Sequence, residues 1–213
     1  NYLVNYFFKK MEHIKSDSEL KILDAAKDVF YHRGFAGARM QEIADKAGIN
    51  KAMLHYYYRN KEKLFEAVFI DAINSFIPDV KKVLNSDIAL EKKIVQFVDI
   101  YISNLLDKPY IPGFVLYELS RNPDALVKTF LDFNPVNFDV LQEQLGNLAK
   151  GGITINVDPR QFALNLLALC IFPFIAKPMI QGIFNMDLDD FKEFMNERKK
   201  IIPELIFNSI KKV

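Results

Sequence analysis

Lys51, Ala52, His55 and Tyr56 lie in a run whose residue types suit the reading of a nucleic-acid groove: Ile43-Ala44-Asp45-Lys46-Ala47-Gly48-Ile49-Asn50-Lys51-Ala52-Met53-Leu54-His55-Tyr56-Tyr57-Tyr58. On a helix that starts after Asn50, Leu54, Tyr57 and Tyr58 share one face by their three- and four-residue spacing. Ala52, His55 and Tyr56 then point the other way. Lys51 falls at the amino end, where recognition helices meet base edges. A lysine there can bond guanine, and an alanine can touch a thymine methyl. Arg39, Tyr56 and Lys61 are candidates for phosphate contacts, which position a protein without reading sequence. The candidate DNA-binding set is therefore Arg39, Asn50, Lys51, Ala52, His55, Tyr56 and Lys61. Outside such a motif, the bare reading of these charges is a solvated surface.

The elements that must hold these residues are two short helices joined by a tight turn. Gly48 supplies the positive φ that ends the first, and Asn50 can cap the second through its side-chain oxygen. Ile43, Ala47, Ile49, Leu54 and Tyr57 fall where a helix-turn-helix needs apolar contacts, and Ala44 is small where the second helix crosses the first. Such a unit exists mainly to place its second helix in the major groove.

Charge is distributed in the same sense. The net charge is +1, but residues 1–70 hold 12 Lys/Arg against 9 Asp/Glu, and residues 71–213 hold 16 against 18. A mildly basic head on a mildly acidic body suits a DNA module attached to a neutral partner domain. The single cysteine, Cys170, excludes an intramolecular disulfide and a Cys-rich zinc site, and a cytoplasmic location is the default expectation. Within its apolar run, Cys170 reads as a buried, inert thiol.

Helical periodicity runs through the chain, and Gly and Pro are sparse at 8 and 9 of 213 residues. Ser16-Asp17-Ser18-Glu19 is a capping-box start, followed by Ile22, Leu23, Ala26, Val29 and Phe30 at helical spacing, with Gly34 as the stop. Helices over 40–47 and 51–58 follow. Asn60 caps a longer one from Lys61, which Pro78 is placed to kink or end. An amphipathic helix spans 89–106 and a short one 114–120. Another runs from Asn122-Pro123-Asp124 to about Ala149, with a break at Asn134-Pro135. Asp158, Pro159 and Gln161 form a further start, whose helix runs towards Gln181 with Pro173 and Pro178 bending it. The last helix spans about 187–210. The predicted fold class is all-α: a tail of uncertain origin over 1–15, a helix-turn-helix domain over 16–60, and a helical ligand-binding and dimerisation domain over 61–213. The apolar run 162–176 is too short to span a bilayer and is predicted to be a helix buried on several sides.

Residues 20–65 resemble the DNA-binding head of the TetR family of bacterial regulators. The matching residues are Ile22-Leu23-Asp24-Ala25-Ala26, Phe30, Gly34-Phe35, Ile43-Ala44, Ala47-Gly48-Ile49, Leu54 and Tyr57-Tyr58-Arg59-Asn60-Lys61-Glu62-Lys63-Leu64. The resemblance implies a homodimer built through the last two helices. It also implies a small-molecule cavity in the larger domain, whose filling shifts the fourth helix and releases a near-palindromic operator on double-stranded DNA. Two positions depart from the family pattern. Ala38-Arg39 stand where Ser or Thr often begins the second helix. His55 stands where Tyr often follows the recognition-helix Leu.

Phe97, Tyr101, Phe114, Tyr117, Phe130, Phe133, Phe138 and Phe172 can line an apolar cavity, although aromatic residues at helical spacing are more often core. Glu118, Arg121 and Asn165 can fix a polar group on a ligand, a surface salt bridge or cap being the plainer role. The expected effector is a small apolar or aromatic molecule. No catalytic constellation, metal-ligand spacing or phosphate loop is present, and no cofactor or membrane partner is expected. Two other functions stay open on the residues alone: a TetR-like protein that acts through a protein partner with little DNA affinity, and a helical enzyme acting on an apolar substrate.

Overall fold

Ser16 opens the first helix, α1 (Asp17–Gly37), by the expected reciprocal cap: its hydroxyl accepts from the Glu19 N–H while Glu19 reaches back to the Ser16 N–H. The computed structural model describes residues 16–109, 111–121, 123–124, 127–128, 131 and 138–212. The tail 1–15, Phe130, Phe133 and the break expected at Asn134-Pro135 lie outside the described residues, as do the side chains of Phe114 and Glu118. Two compact units are present, divided between Asp71 and Ala72.

In the first unit, α1 is followed by α2 (Met40–Ala47), α3 (Lys51–Tyr57) and the start of α4 (Lys61–Leu84). Gly34 interrupts α1 at φ 63°, ψ 178°, a region that side-chain-bearing residues avoid. The chain leaves helical dihedrals there, as the sequence suggested. It kinks, and a further turn runs to Gly37. The core joins Ile22, Leu23, Ala26 and Phe30 of α1 to Ile43 and Ala44 of α2, Leu54 of α3, and Leu64 and Phe65 of α4, all buried. Phe65 meets the rings of Phe30 and Phe35 edge-on, at 4.9 and 4.8 Å between centroids. Such pairs add to the burial of their area.

The second unit contains the rest of α4, then α5 (Leu90–Asp107), α6 (Ile111–Arg121), α7 (Phe138–Lys150), α8 (Pro159–Ile175), α9 (Lys177–Phe184) and α10 (Leu188–Ile210). Pro78 does not end α4, which continues through it. The buried faces of α5 (Ile94, Val98, Ile102, Leu105) and α10 (Phe191, Met195, Ile202, Ile206) lie against each other. The Lys199 ammonium joins them at the edge by reaching Asp99 at 2.9 Å and Ser103 Oγ at 2.7 Å. Asp158 caps α8, but the expected box with Gln161 does not form. The carboxylate instead accepts from the Arg160 N–H at 2.8 Å and holds the Arg160 guanidinium. Pro173 leaves α8 unbroken. The single helix expected towards Gln181 instead divides at Ala176, α9 departing at 69° with Pro178 in its first turn, where a missing N–H costs least. The chain end is pinned by Ile155 N–H donating to Ile210 O and Lys212 N–H donating to Ile153 O.

The apolar run 162–176 differs from its expectation. Phe162, Leu166, Cys170 and Phe174 are buried, yet Leu164 and Phe172 are more than half exposed. One row of α8 packs within the unit, and the opposite row, apolar apart from Asn165, is without cover from the described residues. Among these, no single helix is long and apolar enough to cross a membrane, although the bent pair α8–α9 would pass by length and composition together.

Candidate nucleic-acid interface and apolar cavity

The turn between α2 and α3 is built from backbone requirements. Gly48 adopts φ 68°, ψ 31°, and its N–H donates to the carbonyls of Ala44 and Asp45. Ile49 N–H closes the wider loop to Ala44 O at 3.0 Å. This pattern satisfies the carbonyls that a helix end leaves open. Asn50 Oδ1 then accepts from the Met53 N–H at 2.7 Å and starts α3. Buried Leu54 and Tyr58 fix the rotation of α3 about its axis. Ala52, His55 and Tyr56 are exposed on the side away from them, Tyr56 by 85 %, and Lys51 is exposed at the amino end. No carboxylate belongs to α3. The free side of the helix thus carries an ammonium, a methyl, an imidazole and a phenol, with no built-in repulsion for phosphate.

Several neighbours hold this helix in place. The Tyr57 ring lies edge-on to Tyr56, and its hydroxyl is 3.4 Å from Ser16 Oγ. Tyr57 is therefore half-buried at the edge of the head, while Tyr58 takes the core position. His55 Nδ1 is 3.2 Å from the Arg59 carbonyl oxygen. Between α1 and α2, Lys46 pairs with Asp28 and Arg33 with Glu42. Lys46 holds the Asp28 carboxyl below its ordinary range. Arg39 stands at the start of α2 with no side-chain cap bond and is exposed.

Lys61 has a different environment from the one its sequence position suggested. Its Nζ donates to Phe35 O at 2.8 Å and Ala38 O at 3.1 Å, and lies 4.4 Å from the centre of the Phe35 ring. The ammonium thus ties the start of α4 to the turn between α1 and α2, which accounts for two of its three donors.

In the second unit a cavity of about 330 Å³ opens between α4, α5, α6, α7 and α8. Phe97, Tyr101 and Phe138 of the sequence-derived set line it, beside Ile77, Leu141 and Phe162. Burial pushes the Tyr101 hydroxyl pKa upwards, with Cys170 adding to the effect, so the phenol stays a neutral donor. Burial also pushes the Cys170 thiol up to about 12, which makes it unreactive as a nucleophile.

The profile for bacterial regulatory proteins of the tetR family matches residues 22–68, covering the turn, its caps and the start of α4. The head over residues 22–68 belongs to the TetR family, a family of helix-turn-helix transcriptional regulators. The chain is 23% identical to the HTH-type transcriptional regulator RutR of Escherichia coli (strain K12) over 202 residues, 95% of this chain and 94% of that one. It is 30% identical to the biofilm operon negative transcriptional regulator IcaR of Staphylococcus epidermidis over 106 residues, 50% of this chain and 55% of that one. The solved structure of the transcriptional regulator FadR from Bacillus subtilis in complex with stearoyl-CoA has a TM-score of 0.61 at 17% identity, covering 86% of this chain and 96% of that one. At that identity the likeness carries the fold.

Within the second unit, some sequence-derived ligand candidates lie away from the cavity wall. Tyr117 is hydrogen-bonded by the exposed Arg121 guanidinium at 3.3 Å. Asn165 and Phe172 are exposed on the outer row of α8. These three candidates are corrected accordingly: helical spacing put them on elements that border the cavity but did not fix which way each helix is turned. The sequence reading missed Lys93, which lines the cavity and is 2 % exposed. Its signal was available: Lys93 falls on the apolar stripe of α5, between Leu90 and Phe97.

Proposed function

We propose that this TetR-family regulator is a homodimeric repressor that works in the cytoplasm, reads a near-palindromic operator through α3, and leaves it when a small ligand fills the cavity. In this reading residues 16–60 read DNA, and residues 61–213 bind the effector and form the dimer. The observation that carries it is the division of α3 into a locked face, Leu54 and Tyr58, and an exposed face free of carboxylates, Lys51, Ala52, His55 and Tyr56. A helix held this way presents its amino end to base edges, and Arg39, exposed at the start of α2, is available for a phosphate.

The dimer reading rests on exposed apolar side chains along α8, α9 and α10: Leu164, Phe172, Ile183, Phe184, Ile201 and Leu205, each 44% exposed or more. α8 packs on both α9 and α10, and exposed apolar side chains on neighbouring helices mark a protein contact. The release reading rests on α4, which contributes Leu64, Phe65 and Val68 to the core of the first unit and Ile73, Ile77 and Val80 to the cavity wall in the second. A ligand that displaced the wall would act on the same helix that anchors the head. The relative named as a negative regulator and the similar structure holding stearoyl-CoA agree with repression and with an effector that has an apolar part.

The test is selection of bound fragments from genomic DNA by the purified protein, read by sequencing. Enrichment of one near-palindromic site is the expected result. Failure to recover DNA even at low salt would overturn the operator reading in favour of a protein partner.

A further inference from the structure

The cavity wall is aliphatic and aromatic except for two polar side chains, Tyr101 and Lys93. Lys93 is the unusual one. Its Nζ donates to the carbonyl of Leu84, the last residue of α4, at 2.9 Å. That bond occupies one of the three ammonium protons. Among the described residues no carboxylate forms an ion pair with it. Burial, the larger effect, holds its pKa below the usual lysine value, and Asp87 opposes the shift from a distance. A cation removed from water without a counter-ion is destabilised, and an anion brought beside it would restore what burial removed.

Cap duty alone does not account for this arrangement. An open carbonyl at a helix end is satisfied as well by water or by a backbone N–H, without burying a charge. Lining an otherwise apolar cavity, Lys93 has the position of an orienting group: one charged contact at the end of a greasy volume, the usual composition of a small-molecule site.

We propose that the cavity takes an amphipathic monoanion, its carboxylate against Lys93 Nζ and its apolar part against Ile77, Phe97, Phe162 and Leu166. This rests on reading the cavity as the effector site and narrows the expected ligand from any apolar molecule to an apolar carboxylic acid. The volume limits its size. At about 30 Å³ for each water-sized atom, 330 Å³ holds on the order of eleven heavy atoms. Decanoate is near that limit.

The experiment is calorimetric titration of the full chain at neutral pH with decanoate, decan-1-ol and decylamine, which share a tail and differ in charge. The expected result is decanoate bound at least about tenfold tighter than decanol, the effect of one charge-assisted hydrogen bond in a dry site, with decylamine weakest. In Lys93→Met the preference for decanoate should vanish while decanol still binds. Equal affinity for decanoate and decanol in the unaltered protein overturns the head-group assignment and leaves the cavity reading standing. No binding of any of the three overturns both. Should Lys93→Met fail to fold, the three-probe comparison on the unaltered protein decides alone.

Discussion

Replacing Lys61 by methionine separates the two roles this residue can have. Methionine keeps most of the apolar stem and removes the ammonium. The structure places that ammonium on two carbonyls, Phe35 O and Ala38 O, and near the face of Phe35. A hydrogen bond from a charged group contributes roughly 1.5–3 kcal/mol where it is shielded from water, and an exposed cation–π contact about 0.5–1 kcal/mol. Lys61 is only half-buried, and the freed carbonyls can rehydrate beside exposed Gly34 and Gly37. The combined loss is therefore nearer the lower end, about 2 kcal/mol. For a chain of this length that lowers the melting temperature by roughly 4–8 °C. The assays are thermal unfolding by circular dichroism and operator affinity across a salt series. If the ammonium serves the fold, melting falls and the salt slope stays as it was. If it serves a phosphate, melting is unchanged and the slope becomes shallower by about 0.9. An unchanged melting temperature would refute the structural argument, whatever happens to DNA binding.

The remaining predictions concern other joints of the molecule. Gly34→Ala forces a β-carbon into φ 63°, ψ 178°, where steric space is open but the backbone itself is strained, and should destabilise by about 1–3 kcal/mol in denaturant titrations. Leu205→Glu places a charge in the exposed apolar row of α10 and should convert a dimer to a monomer in light scattering; a parent protein that is already monomeric would remove the dimer proposal. Asp28 has a lowered carboxyl pKa in the folded state, so its pairing with Lys46 stabilises above the unfolded value near 3.8 and is lost as pH falls through the lowered one. Asp28→Asn should therefore lower the melting temperature near neutrality and flatten its acid limb, the two proteins converging below about pH 4.

The DNA-binding head was legible because its signals are local and redundant. Gly48, Asn50, Ser16 with Glu19, and Asn60 each specify a helix end within four residues, and the structure uses all of them as caps or stops. Once those ends are set, the three-residue spacing of α3 leaves little freedom about which side faces out. From the sequence Lys61 reads as a phosphate contact, because nothing in its neighbours reveals that the chain returns past it. The two carbonyls it meets are 26 and 23 positions earlier. The cavity was harder for the same reason. Which aromatic side chains face it depends on how five helices are turned against one another, and apolar spacing is satisfied equally by core, cavity or dimer face. Phe97 and Phe172 illustrate this: both sit at helical spacing among apolar neighbours, and one is buried in the wall while the other is 56% exposed. A charge breaks that degeneracy. Lysine on an apolar stripe has few stable positions, since it must reach either water or a partner. Lys93 is held inside. In a body whose apolar residues are interchangeable as evidence, the buried Lys93 on α5 supports the proposed ligand chemistry more narrowly than the aromatic residues around it.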